Sequence, residues 1–356
     1  MTRPIQPNTA STVFGDDNTF IAGVIALGNV AGRDLTITIN DNPYDVSALS
    51  AYNPYLGLQA FTYAERALYA GRNAEIQRAI RYLTTPGEQR TVLFVTGASG
   101  SGKSSFVQAG VVPALEQYYA HKTVRGHLIR PSRYPVALLR DALERLGLTP
   151  PAELTLQTWR STLQTTSSRQ INLLIIDQFE ELFTQTANAT DRALVIELVT
   201  TLPPFEQCHT HILATVRADY LPTMLDESTP LYTLATQGIA LGAMREADLR
   251  DAIHQPLRWF QTTYSKISHK TFEPVLLAQL ITDTQQFKDE RDNRDAYLPL
   301  LQVTLEDLWS RGSLTRGDYT SLTTGIQTRA HEVYQWTNDS QHTSARLVSV
   351  LIVRSN

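Results

Sequence analysis

The feature that most constrains this chain is the octet Gly97-Ala98-Ser99-Gly100-Ser101-Gly102-Lys103-Ser104, which fits G-x-x-x-x-G-K-[ST] at every fixed position. Glycines let such a loop fold its backbone N–H groups into a nest around phosphate oxygens, and the helix that follows adds the positive end of its dipole. In this pattern the lysine reaches the β- and γ-phosphates and the next hydroxyl ligates Mg²⁺. Those roles fall to Lys103 and Ser104, with Ser105 closing the loop. The bare pattern also arises by chance, so its context matters. Here an apolar run, Thr91–Thr96, leads in, and helical periodicity from Ser104 to Tyr119 leads out.

A phosphate loop of this kind needs an acidic metal partner at the end of a neighbouring buried strand. Leu173-Leu174-Ile175-Ile176 is an apolar run that ends on Asp177. Ser104 and Asp177 are therefore the expected Mg²⁺ ligands. Hydrolysis needs a further group to orient or deprotonate water. Gln178 follows the metal aspartate directly, and Glu180 and Glu181 lie one helical turn on, so all three are candidates. The alternative is that the two glutamates cap a helix beginning near Phe179. Arg217 ends another apolar run, His211–Val216, where a cation would sit beside a γ-phosphate. Its alternative is a surface pair with Asp219.

Strand-like runs alternate with amphipathic helical stretches from about residue 53, which predicts an α/β domain with a parallel sheet. The expected strands are Thr91–Thr96, His127–Arg130, Ile171–Ile176, His211–Val216 and Gln237–Leu241, with helices at Ser104–Tyr119, Val136–Leu146 and Thr190–Thr201 between them. After about residue 244 the strand runs stop, and helices are expected over Arg245–Phe260, Thr271–Gln286, Leu298–Arg311 and Ser321–Trp336. This divides the chain into an extension over 1–50, a nucleotide-binding core over 51–243, a helical lid over 244–340 and an apolar tail over 341–356. The tail, Ala345–Val353, has nothing after it to cover it, which fits a terminal element or a longer parent chain. The extension carries two β-like runs, Thr19–Leu27 and Leu35–Ile39, punctuated by turns at residues 15–18, Gly28-Asn29 and Asn40-Asp41-Asn42-Pro43. Residues 13–40 are suited to adding strands to a protein partner or to a second copy. A sticky disordered tail is the competing reading.

Composition narrows the function. The chain has 356 residues with 31 Lys plus Arg against 35 Asp plus Glu, a formal charge of −4. That balance argues against a general nucleic-acid binder, which needs clustered positive charge. No apolar run approaches the roughly 20 residues of a spanning helix, so no membrane partner is expected. The single cysteine, Cys208, can form no internal disulfide and suits a reducing, cytoplasmic setting. The histidines, including His209 and His211, show no ligand spacing. Trp159, Trp259, Trp309 and Trp336 sit in helical patterns as core anchors.

Read as a set, the motifs resemble the STAND class of signal-transducing P-loop NTPases, and within it the novel STAND NTPase 1 family. The blocks that carry the resemblance are Asn53–Phe61, Ala70–Ile76, the P-loop, Asp177–Phe183, Ala214–Asp219, Met244–Ile253 and Leu298–Gln302. The resemblance implies a sheet of the additional-strand type, order 5-1-4-3-2, followed by a helical lid. It implies ATP or ADP with Mg²⁺ as cofactors and Gly71-Arg72 near the adenine, with Tyr69 as a wall and Asn73 where a Glu is usual. Pro299 would touch the nucleotide from the lid. It further implies a switch that is closed with ADP and that opens and oligomerises with ATP, hydrolysing it slowly, or else a scaffold that binds without turnover.

Overall fold

The computed structural model describes residues 19–21, 36–39, 53–87, 89–263, 271–290, 297–312 and 314–324. Seven strands form one sheet: β1 (Thr19–Ile21), β2 (Thr36–Ile39), β3 (Val92–Gly97), β4 (Thr123–Ile129), β5 (Gln170–Ile176), β6 (Thr210–Arg217) and β7 (Ile239–Ala240). Their order is β1-β2-β4-β5-β6-β3-β7. The last five strands to form in sequence, β3 to β7, are all parallel. Renumbered from the P-loop strand, they run 2-3-4-1-5, the predicted order read from the opposite edge. β2 pairs in parallel with β4, and β1 pairs antiparallel with β2. Of the two expected runs, Thr19–Ile21 and Thr36–Ile39 add to the chain's own sheet, while the remainder of residues 13–40 lies outside the described residues.

The strands are continuous apolar runs because the sheet is buried on both faces. Phe94, Leu174, Ile176, Ile212 and Ala214 point into one core layer. Their neighbours Leu93, Val95, Leu173, Ile175 and Leu213 point into the other. The first layer packs under helices α2 (Pro135–Arg145), α3 (Leu156–Gln164), α4 (Ala189–Thr200) and α5 (Thr229–Gln237). Side-chain caps start three of these four: Thr155 with Thr158 forms a capping box on α3, Asn188 caps α4 and Ser228 caps α5. The second layer lies under α1 (Asn73–Thr84) and the P-loop helix.

The P-loop helix departs from expectation. In place of one regular helix it runs Lys103–Ser105 as α-helix, Phe106–Val111 as a π-helical stretch and Val112–Tyr118 as α-helix again. All six π residues are buried. A Cβ on Gly110 would lie only 3.0 Å from both Ile76 and Tyr69, so α1 and the Tyr69 loop pack tightly against this wide turn. β4 begins four residues earlier than its expected start at His127, and β7 is cut to Ile239–Ala240.

Helices α6 (Glu246–Thr263), α7 (Pro274–Glu290) and α8 (Tyr297–Ser310) share a third core made of Leu249, Ile253, Leu276, Leu280, Leu301 and Trp309, among others. The loop before α1 ties into this helical layer. Tyr55 donates its hydroxyl hydrogen to the Ile253 carbonyl at 2.8 Å, and Asn53 donates to the Glu306 carbonyl at 3.2 Å. Of the expected core anchors, Trp159 and Trp309 are buried, Trp259 is half-buried against the third core, and Trp336 lies outside the described residues. Of the expected helix Ser321–Trp336, residues beyond 324 lie outside the described residues, as does the tail 341–356.

Candidate functional site

The phosphate loop leaves β3 at Gly97 and enters its helix at Lys103. Gly102 sits at φ +84°, a left-handed geometry that a side chain would oppose, and this turn aims the next backbone N–H groups at one point. The Lys103 ammonium donates to the carbonyls of Gly97 (3.0 Å) and Ala98 (2.6 Å). Burial holds its pKa below the ordinary lysine value, against the opposing pull of Glu180 and Asp177. The Ser101 hydroxyl is buried without a hydrogen-bond partner among the described residues.

Asp177 follows the end of β5 and is fully buried. Its Oδ1 accepts hydrogen bonds from the Ser104 hydroxyl at 2.7 Å and from the Thr215 hydroxyl at 2.8 Å, while Arg130 donates Nε to Oδ2 at 3.3 Å. The two expected metal ligands are therefore in contact across 73 residues of sequence. Thr215 also accepts from the Gln178 N–H at 2.8 Å, which pins Gln178 in a left-handed conformation, φ +55°. Arg130 and Thr215 were not singled out from sequence. Thr215 is a hydroxyl inside an otherwise apolar strand, and that interruption is the signal that could have found it.

Glu180 is buried and accepts from the Arg217 backbone N–H at 3.3 Å. Burial raises its pKa above the usual carboxylate range, and Lys103 and Arg217 partly offset this. Glu181 is raised too, chiefly by burial, but it does not line the cavity described below. Arg217 makes two side-chain hydrogen bonds to Asp219, with Nε to Oδ1 at 3.1 Å and Nη2 to Oδ2 at 2.6 Å, and its guanidinium lies 5.6 Å from the Tyr220 ring centre. It stands 41% exposed at the cavity rim, so the sequence alternative of a surface pair describes its geometry here. Ser105 turns its hydroxyl away, accepting the Phe61 N–H at 3.0 Å.

A cavity of about 390 Å³ opens over the loop, within the size range of small-molecule sites. One wall is Ser99–Ser105 with Gln178, Glu180, Thr215 and Arg217. The facing wall is largely apolar: Leu58, Phe61, Tyr69, Met244, Leu298 and Pro299. Arg72 is 2% exposed and bridges the walls, lying 3.5 Å from the Ser101 carbonyl and pairing with Glu75 at 3.5 Å. It also acts on the Tyr297 hydroxyl, which accepts the Met244 N–H at 2.7 Å. Asn73 is the first residue of α1. Tyr69, Arg72 and Pro299 line the same cavity as the P-loop.

These residues fit a nucleotide and its metal. A Cβ on Gly97 would lie 2.7 Å from the Ser101 hydroxyl and 3.0 Å from the Leu241 carbonyl oxygen, so the loop is tightly packed there, and that hydroxyl is a buried donor without a partner among the described residues. Ser104 and Asp177 form an all-oxygen pair of the kind that suits Mg²⁺. No described histidine lines the cavity. His211 is a satisfied core residue, its ring nitrogens 2.8 Å from the Tyr119 hydroxyl and 3.0 Å from the Arg90 carbonyl, and burial holds its pKa down to about 3.

Among solved structures the chain is similar to the Aeropyrum pernix ORC2 protein in its ADPNP–ADP complexes, at TM-score 0.49 and 14% identity over 73% of this chain and 68% of that one. It is similar to the Aeropyrum pernix ORC1 protein in complex with DNA, at 0.48 and 15% over 80% and 82%. Domain III of the Thermotoga maritima replication initiation protein DnaA gives 0.41 and 16% over 75% and 94%. No curated protein matches the sequence. No described helix is long and apolar enough to cross a membrane. The family model for novel STAND NTPase 1 matches residues 54–356, and the chain belongs to that family of P-loop NTPases.

Proposed function

We propose that the chain is an ATP- and Mg²⁺-binding switch, closed with ADP and open and oligomerising with ATP, that hydrolyses ATP slowly. The observation that carries this reading is the two-sided cavity: a nucleotide held by the P-loop would also touch Met244, Leu298 and Pro299 of the helical layer. Occupancy of one site then biases the packing of two units, which is what a nucleotide switch requires. The division into a core over 51–243 and a lid over 244–340 is part of this reading, as is engagement of a partner or second copy by residues 13–40. So is a cytoplasmic setting without nucleic acid.

In this reading Gly97–Ser104 cradle the phosphates through backbone N–H groups, and Lys103 leaves the Gly97 and Ala98 carbonyls for the β- and γ-phosphates. Ser104 and Asp177 hold Mg²⁺, which supplies charge neutralisation on the phosphate oxygens. Glu180 is the preferred water-orienting group, because it lines the cavity and its pKa is raised. Arg217, released from Asp219, would read the γ-phosphate. A scaffold without turnover is the second reading, favoured by Gln178 directly after Asp177.

Calorimetric titration of the full chain with ADP and Mg²⁺ tests binding, and no heat of binding would remove both readings. Steady-state phosphate release above a protein-free blank then selects the first reading, and its absence selects the scaffold. Turnover stimulated by added DNA would point instead to a DNA-linked ATPase. Light scattering should give a larger mass with a non-hydrolysable ATP analogue than with ADP.

The raised pKa of Glu180 makes a separate prediction. A carboxyl that is harder to ionise folded than unfolded favours the folded state at low pH, and that advantage is lost as pH rises through its folded pKa. Glu180→Gln should therefore raise the melting temperature at neutral pH, flatten its fall above the ordinary carboxylate range, and lower phosphate release.

A further inference from the structure

Arg130 stands directly after β4, and its Nε donates to Asp177 Oδ2 at 3.3 Å. Oδ1 of the same carboxylate already accepts the Ser104 and Thr215 hydroxyls at 2.7 and 2.8 Å. The second oxygen is therefore held by a cation of the protein's own.

The two partners are mounted differently. Asp177 is buried, and its N–H donates to the Ile129 carbonyl at 2.9 Å, so the carboxylate is fixed to the end of β4. Arg130 combines a restrained backbone with a free arm. Pro131 follows it and narrows the conformations open to its backbone, and the Thr186 hydroxyl donates to the Ser132 carbonyl at 2.8 Å, yet the Arg130 side chain is half-exposed. A guanidinium paired at such a site can leave at little cost. A place for it to go is at hand. Burial raises the Glu181 pKa and the Arg130 charge opposes that rise, so the two groups already interact. Neither of them lines the cavity, whose own cations are Arg72, Lys103 and Arg217. Arg130 thus faces the aspartate rather than a ligand in the cavity, and Glu181 offers it a second carboxylate outside.

Resting on the reading of Ser104 and Asp177 as Mg²⁺ ligands, we propose that Arg130 is a displaceable counter-ion, which neutralises Asp177 while the metal site is empty and passes to Glu181 when it fills. A buried carboxylate left without a partner is unfavourable, and two cations on one carboxylate repel each other. Arg130 answers the first problem and creates the second. It is a positioning residue that acts through Asp177, and it limits how strongly Mg²⁺ tightens nucleotide binding without touching the nucleotide.

The test is calorimetric titration of the full chain with ADP, in Mg²⁺ and in excess chelator, read as the ratio of the two dissociation constants. Arg130→Met keeps an unbranched stem and removes the charge; it should enlarge the gain from Mg²⁺ by about two- to fivefold, the worth of a half-exposed pair, while binding in chelator stays close to wild type. Arg130→Lys, which keeps the cation, should stay near wild type in both. Arg130→Gln gives the same comparison as the methionine should that variant not fold. Glu181→Gln removes the second carboxylate and should reduce the gain from Mg²⁺ in the wild-type background but not beside Arg130→Met. A merely structural role for Arg130 would lower the melting temperature and weaken ADP equally with and without the metal, and that result overturns the proposal. So does an unchanged or smaller gain in Arg130→Met. A Glu181→Gln effect of equal size in both backgrounds shows direct action on the metal and overturns the hand-over. Wild type that binds ADP with no gain from Mg²⁺ removes the metal assignment beneath the proposal, and wild type that binds no ADP removes the nucleotide site itself.

Discussion

Asp177→Asn is expected to cut phosphate release by about 100-fold or more and to abolish the strengthening of ADP binding by Mg²⁺. The residue keeps its shape in this substitution but loses its charge. Asp177 Oδ1 takes two hydroxyl hydrogens, from Ser104 and Thr215, and Oδ2 faces Arg130 at 3.3 Å. An asparagine can keep its oxygen toward the hydroxyls and turn its amide toward Arg130. The cost there is modest, because Arg130 is 41% exposed and half-exposed pairs contribute little. The melting temperature should therefore stay close to wild type while the metal dependence disappears. Asp177→Ala separates the two roles from the other direction. It strands a buried threonine hydroxyl without its acceptor and should destabilise the fold by roughly 1–3 kcal/mol. If Asp177→Asn retains full Mg²⁺ dependence of ADP binding, the metal ligand lies elsewhere.

What was legible in sequence follows from the range of each interaction. The P-loop is a local device, all its parts within eight consecutive residues, so its pattern survives in the one-dimensional string. The inner strands were legible because burial on both faces leaves unbroken apolar runs such as Leu173–Ile176. β4 was read short, since Thr123, Arg125 and Gly126 are polar or small, yet Thr123↔Gln170 and Arg125↔Asn172 pair along the ladder. The site residues that escaped are those whose meaning lies in a distant partner. Arg130 is 47 residues from the carboxylate it faces, and Thr215 is 38 residues away. The π-helical stretch has no composition of its own. It lies where Gly110 packs closely against Ile76 and Tyr69, which are distant in sequence.

Gly71→Ala should be the most damaging small substitution in the loop before α1. Gly71 sits at φ +86°, and a Cβ there would lie 2.4 Å from the Asp248 backbone carbonyl oxygen and 3.2 Å from the Ala252 Cβ. The obstacle is backbone of α6, which cannot rotate away like a side chain. Left-handed strain adds about 1–2 kcal/mol and forced overpacking about 1–3 kcal/mol, so the loss should be roughly 2–5 kcal/mol. Gly87 provides the control. It has nearly the same conformation, φ +79°, with nothing within 4 Å of its missing Cβ, so Gly87→Ala incurs the conformational strain alone. A melting temperature for Gly71→Ala no lower than that for Gly87→Ala would refute the close-approach argument. The consequence reaches the site because Arg72 is the next residue, buried between α6 and the Ser101 carbonyl. Pushing α6 from the loop widens the gap that a nucleotide must bridge. Saturating ADP with Mg²⁺ should stabilise wild type by about 2.7 kcal/mol at a hundredfold excess over Kd, and the gain at the same concentration should shrink in Gly71→Ala but persist in Gly87→Ala.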